Sequence, residues 1–141
     1  MQPVDFRNRA GDRELVEAAI EARKHAYAPY SNFPVGAAIR SANGRIYAGC
    51  NVENASFGLT MCAERIALFA ALAGGERSFT NLALVGDAQE ISPCGACRQV
   101  LAEFSPDLEI IMSNVAGSAV RAALSELLPA PFVLKPNGLG S

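Results

Sequence analysis

Tryptophan is absent from the 141 residues, and histidine occurs only once, as His25. A metal centre in such a chain must rest on thiolates or carboxylates, not on a set of imidazoles. No apolar run is long enough to span a bilayer. The polar start of the chain, with Asp5, Arg7 and Arg9, has no apolar signal-peptide core. A cytoplasmic location with no membrane partner is therefore expected. Positive charge is not in excess either, since the formal net charge is −2. Proteins that grip nucleic acid draw much of their affinity from neutralising phosphates, so no nucleic-acid partner is expected. Repeats, low-complexity tracts and internal linkers are also missing. Residues 1–141 read as one domain, with 1–10 and 133–141 as flexible or peripheral tails.

What is present is apolar and patterned. Half of the residues are hydrophobic, rich for a small water-facing monomer, which points to apolar surface buried between subunits. Leu15, Ala18, Ala19, Ala22 and Ala26 share one face of a helix over 12–26, with Asp12 placed to cap it. Residues 35–40 and 45–53 read as two strands joined by a turn at Asn43-Gly44. Alternation along the second strand puts Ile46, Ala48, Cys50 and Val52 on one face. Tyr47, Gly49, Asn51 and Glu53 fall on the other. A nearly all-apolar helix follows over 62–73, then a strand over 81–86. A helix starting at Pro93 has Cys97, Val100, Leu101 and Phe104 inward. Strands over 109–113 and near Val120 precede a short helix over 124–128. The expected fold is α/β: three α/β/α layers around a mixed, roughly five-stranded sheet.

The chemistry concentrates in Cys62-Ala63-Glu64 and Pro93-Cys94-Gly95-Ala96-Cys97. Cys62 opens one helix, while Cys94 and Cys97 open another at i and i+3. Helix N-termini favour anions and lower thiol pKa values, which suits metal ligation. Three thiolates would hold one zinc ion per chain and leave its fourth tetrahedral position to water. Glu64, two residues from the first ligand, is placed to move that water's proton. Arg65 and Arg98 follow close behind, where arginine hydrogen bonds to sulfur would withdraw charge from a trithiolate centre. The fourth cysteine, Cys50, lies mid-strand on the apolar face and reads as a small hydrophobe. A structural site using all four cysteines lacks the usual second Cys-x-x-Cys pair. A redox reading of Cys94 and Cys97 leaves Cys62 and Glu64 without a role. His25 reads as a surface or capping residue.

Four stretches carry a family resemblance. They are Ser31-Asn32-Phe33-Pro34-Val35-Gly36-Ala37-Ala38, Gly49-Cys50-Asn51-Val52-Glu53-Asn54-Ala55, Met61-Cys62-Ala63-Glu64-Arg65 and Ser92-Pro93-Cys94-Gly95-Ala96-Cys97-Arg98-Gln99-Val100. Together they resemble the small homotetrameric zinc-dependent cytidine deaminases, whose class uses a Cys₃ zinc site and a non-ligating glutamate. The resemblance implies hydrolytic deamination of free cytidine and deoxycytidine, with Glu64 as proton shuttle. It also implies that Asn51 and Glu53 bind the ribose, Glu53 through the 3′-hydroxyl. Phe33 would stack near the pyrimidine, and Ala63 and the Ser92 region would offer backbone groups to the base. Phe132 would reach a neighbouring subunit's site. Phe57 is a small departure, standing where many relatives have tyrosine.

Three other readings compete. A cytosine editor of single-stranded nucleic acid would need basic grooves and aromatic platforms, which the acidic balance disfavours. A deaminase of a related nucleoside is disfavoured by the complete run from Asn51 to Asn54. A purely structural zinc module leaves Glu64 unexplained.

Overall fold

The structure, a computed structural model, describes residues 1–87, 89 and 91–135. Its six strands are β1 (Gln2–Val4), β2 (Gly36–Ser41), β3 (Ile46–Cys50), β4 (Phe79–Gly86), β5 (Glu109–Asn114) and β6 (Ala119–Ala123). They form one sheet in the order β1-β6-β5-β4-β2-β3. Only β4 and β5 pair in parallel; the other pairs are antiparallel. The helices are α1 (Ala10–Arg23), α2 (Ala63–Ala73), α3 (Gly95–Phe104) and α4 (Leu124–Leu127).

Side-chain alternation divides the interior in two. Ala37, Ile39, Leu82, Leu84, Ile110 and Met112 point to one face of the sheet. There they meet Ala67, Leu68 and Ala71 of α2, Leu101 of α3 and Leu124 of α4. Ala38, Ala83, Val85 and Ile111 point to the other face, covered by Leu15, Val16 and Ala19 of α1. The period-2 pattern of central strands thus produces the expected three layers. Each fully buried leucine contributes roughly 1.5–3 kcal/mol to that arrangement.

Two glycines let helices approach the sheet more closely than any side chain would permit. A Cβ at Gly36 would lie 1.9 Å from the Ala19 carbonyl oxygen of α1. One at Gly49 would lie 2.6 Å from the Ala67 nitrogen and 2.9 Å from the Ala63 oxygen of α2. Gly49 therefore seats the start of α2 directly against the strand that leads into Asn51 and Glu53.

Several expectations are corrected. Among the described residues the sheet has six strands against the roughly five expected, because the N-terminal segment set aside as a tail contributes β1, with Gln2 opposite Arg121 and Val4 opposite Ala119. Pro3 lacks an N–H, and the edge position accommodates it. The part of the C-terminal tail from 136 onward lies outside the described residues. Helix α1 starts two residues early, with Arg9 at its N-cap position. Asp12 is buried in the first turn and pairs with Arg121 and, at 3.4 Å, with Arg9 Nε. The expected hairpin turn does form after β2, and within it Gly44 takes a positive φ, of 93°. Its N–H donates to the Ser41 carbonyl, and the Ser41 N–H to the Arg45 carbonyl. This is the longer hairpin closed by a left-handed glycine. Phe104, expected to face inward, is 36% exposed, and Phe69 of the nearly all-apolar α2 is 38% exposed.

Candidate active site

The two helix starts that carry the cysteines meet at one end of the sheet. Cys62 and Cys94 occupy the N-cap positions of α2 and α3 in extended conformation, and Cys97 lies buried one turn into α3. Their three sulfurs lie within 4.8 Å of one another, with Cys62 Sγ 3.9 Å from Cys94 Sγ. Tetrahedral zinc with Zn–S bonds of about 2.3 Å requires sulfurs about 3.8 Å apart, so the triad fits this metal. Cys50 points to the opposite side of β3, into an apolar groove with Ala18, His25 and Ile66. The period-2 separation of Cys50 from Asn51 is thereby realised, and exposed His25 stays away from the cluster.

The charge environment favours a thiolate. Cys62 is lowered to about 5, first by hydrogen bonding from Cys97 and then by Arg65, whose Nη2 donates to its sulfur at 3.4 Å. Cys97 is pushed up by the same shared proton and by burial. Arg65 is held firmly protonated by the thiolate, and its buried Nε has no hydrogen-bond partner among the described residues. Burial raises the Glu64 carboxyl above the ordinary carboxylate range, and the Cys62 charge adds to the effect. A carboxyl raised in this way is a better proton carrier than an ordinary surface carboxylate.

A cavity of about 290 Å³ opens beside the sulfurs. Cys62, Ala63, Glu64, Cys94 and Ser92 form one wall, and Ser31, Phe33, Asn51 and Glu53 the other. Val52, between the last two, is exposed, whereas Asn51 and Glu53 are buried. Both engage the loop over 30–35. The Asn51 amide accepts from Val35 N and donates to Phe33 O, each at 2.9 Å. Glu53 Oε1 accepts from Tyr30 N at 2.9 Å and Ser31 N at 3.1 Å, and Oε2 accepts from the Ser31 hydroxyl. These bonds, led by that of the hydroxyl, hold the Glu53 carboxyl below its ordinary pKa. At the loop tip Asn32 has φ 55°, a left-handed conformation that asparagine tolerates better than most residues. Phe33 borders the cavity while remaining 42% exposed.

One expected site residue, Arg98, lies elsewhere. Arg98 directs its guanidinium at the Pro93 and Leu127 carbonyls and the Ser92 hydroxyl, at 2.7–2.8 Å, and not at a sulfur. It braces the loop entering Cys94. Phe132, expected at a neighbour's site and not at this one, is 72% exposed, and Gln99 clasps its backbone from both sides, donating to its carbonyl and accepting from its N–H. Phe57 packs edge-on against Tyr30, with ring centres 5.9 Å apart. Thr60 and Ile91 also line the cavity and went unassigned from sequence, as did the role of Ser31. Nothing in residue type or spacing marks them. The one available signal for Ser31 was its place two residues before Phe33.

Residues 9–113 match the profile of the cytidine and deoxycytidylate deaminase zinc-binding region. The chain is 48% identical over 124 residues to cytidine deaminase from Halalkalibacterium halodurans, covering 86% of this chain and 94% of that protein. It is 46% identical over 121 residues to the Sporosarcina psychrophila enzyme of the same name, covering 84% and 89%. The crystal structure of cytidine deaminase from Burkholderia pseudomallei superposes with a TM-score of 0.82 at 52% identity, covering 85% of this chain and 98% of that one.

Proposed function

Because this chain belongs to the cytidine and deoxycytidylate deaminase family, we propose that it hydrolyses free cytidine and deoxycytidine to uridine and deoxyuridine with release of ammonia. The observation that carries the reading is the three-sulfur cluster and buried Glu64 on one wall of a cavity whose other wall presents Phe33, Asn51 and Glu53.

Cys62, Cys94 and Cys97 would hold one zinc ion per chain, which when bound would supply Lewis-acid activation of water. The protein's own groups do the rest. Glu64 takes a proton from the attacking water and delivers it to N3 of the cytosine ring as the oxygen adds to C4. The carboxylate then takes the remaining proton from the new C4 hydroxyl and passes it to the amino group, so that C4=O forms as the C4–N bond breaks and ammonia leaves. A raised carboxyl pKa supports this two-way traffic. Ala63 and the Ser92 region offer backbone groups to the base, and Phe33 lies against the ring. Asn51 and Glu53 receive the sugar, Glu53 at the 3′-hydroxyl. Arg65 steadies the Cys62 thiolate, as its contact to that sulfur supports. Arg98 acts at one remove, through Ser92 and Pro93.

Residues 1–141 act as one catalytic unit that assembles as a homotetramer, with Phe132 reaching a neighbour's cavity. Supporting this is the apolar surface left open in the single chain: Tyr27, Phe57, Leu59, Phe132, Val133 and Leu134 are each more than half exposed. Among the described residues no helix is long and apolar enough to cross a membrane. Free thiols as ligands suit a reducing cytoplasm.

The direct test is the fall in ultraviolet absorbance as cytidine becomes uridine, followed with and without a chelator. Turnover that is lost on chelation and restored by zinc supports the proposal. A zinc-loaded chain inert toward cytidine and deoxycytidine rejects it.

A further inference from the structure

Glu53 is nearly saturated before any ligand arrives. An ionised carboxylate offers about four acceptor positions, two on each oxygen. Tyr30 N and Ser31 N occupy both positions on Oε1, at 2.9 and 3.1 Å. The Ser31 hydroxyl occupies one on Oε2. A single acceptor position remains. The same hydroxyl oxygen accepts from Phe33 N at 3.0 Å, so one chain of bonds runs from the Phe33 amide through Ser31 to Glu53. Ser31, Phe33 and Glu53 all border the cavity beside the sulfurs. Ser31 and Glu53 also border an adjoining cavity of about 310 Å³.

We propose that Ser31 is a specificity-determining and positioning residue that limits Glu53 to a single sugar hydroxyl and fixes the backbone of Phe33. The inference rests on the nucleoside reading given above. A carboxylate with both oxygens open grips two donors at once, as it does with a forked partner. With Ser31 in place, Glu53 has room for one donor, so the neighbouring hydroxyl of a ribose is not demanded. Ribonucleosides and 2′-deoxyribonucleosides then fit the same wall. The serine hydroxyl also orients that one remaining position, because its bond to Oε2 sets how the carboxylate turns.

The test compares Ser31→Ala and Ser31→Thr with the parent enzyme on cytidine, 2′-deoxycytidine and 3′-deoxycytidine, with zinc content and thermal midpoint measured alongside. In Ser31→Ala the acceptor freed on Glu53 should raise the preference for cytidine over 2′-deoxycytidine, and an unchanged preference would overturn the limit to one hydroxyl. Removing one hydrogen bond to a charged group should lower kcat/KM for cytidine about tenfold, mostly through KM. For 3′-deoxycytidine, which lacks the hydroxyl that Glu53 reads, the loss should stay within about threefold. Ser31→Thr, which keeps the hydroxyl, should recover most of the cytidine activity. Equal losses on cytidine and 3′-deoxycytidine would make Ser31 only a brace for the loop and overturn the proposal, as would no loss on either. The Ser31→Ala contrast between substrates decides this even if the threonine methyl is not accommodated. A parent enzyme that deaminates cytidine, together with a Ser31→Ala variant that shows no such contrast, rejects this inference alone. One that neither binds nor deaminates cytidine rejects the nucleoside reading and the inference with it.

Discussion

The two walls of the cavity are built by opposite means. The metal wall comes from helix starts: Cys62, Ala63 and Glu64 at the head of α2, and Cys94 and Cys97 at the head of α3. Its groups lie close in sequence and are oriented by rigid helices packed on the sheet. The loop wall comes from side chains just beyond β3, which reach back about 20 residues to hold backbone amides and a carbonyl over 30–35. One wall is rigid because helices carry it, the other because side-chain hydrogen bonds pin it. Damage to the first should appear in kcat and in metal content. Damage to the second should appear in KM.

Four measurements would break or sharpen this contrast. The largest effect is expected from the metal ligands. Cys97→Ala should lose zinc and all measurable turnover, whereas Cys50→Ala, altered in the groove on the far side of β3, should keep both. Metal analysis with the reverse result would reassign the centre. Next comes Glu64→Gln, nearly isosteric but unable to accept a proton. It should fold, retain zinc and bind nucleoside, yet lose about 10²- to 10⁴-fold in kcat, the range for general acid–base catalysis. A folded, zinc-loaded variant within about tenfold of normal turnover would remove Glu64 from the chemistry.

Gly49→Ala probes the seam between the walls. Its methyl would stand 2.6 Å from a backbone atom of α2, and backbone cannot swing aside as a long side chain can. Overpacking of this kind costs about 1–3 kcal/mol, readable by chemical denaturation. Because α2 must move relative to β3, kcat and KM should both worsen. A change in only one would show that the walls are adjusted independently.

The smallest effect concerns acid. The folded-state pKa of Glu53 lies below its ordinary 4.5, chiefly through the Ser31 hydroxyl. A depressed carboxylate contributes stability that is complete above its unfolded pKa and fades as pH falls through the lower folded value. The gap in thermal midpoint between the parent and Glu53→Gln should therefore be open at pH 7 and narrow below about 4.5. A gap that stays constant with pH would mean that the loop does not depend on the Glu53 charge.

The same contrast explains what could be read from the sequence. Cysteines at i and i+3, a third cysteine opening another helix and a carboxylate two residues beyond it are local patterns, and the metal wall follows from them. The alternation that set Asn51 and Glu53 apart from Cys50 is also local, and the structure keeps the two on the side away from Cys50, where they line the cavity. What those residues hold is a long-range matter. No spacing rule connects Glu53 to Tyr30 and Ser31, or Arg98 to Leu127. Arg98 was expected beside sulfur because it follows a ligand, but helix geometry turns it toward the loop before Cys94 and toward α4. Asp12 looked like a cap because it precedes an apolar face, but tertiary pairing with Arg121 claimed it. Strand β1 is three residues long and contains proline, too short for any period to register. The layered fold, set by alternation in β2, β4 and β5, was legible; its edges were not.

Cys62 and Cys94 stand at N-cap positions, yet neither helix start has a side-chain capping hydrogen bond. The first N–H groups of any helix lack partners within it. In α2 and α3 these positive ends converge on the same cluster of sulfurs, so a shared anionic centre takes the place that a serine or aspartate cap usually fills. The opening turns of the two helices should therefore fray or hold together as one cooperative unit. Amide exchange over 64–66 and 96–98 would report this as a common protection, present with zinc and lost from both segments at once when it is removed.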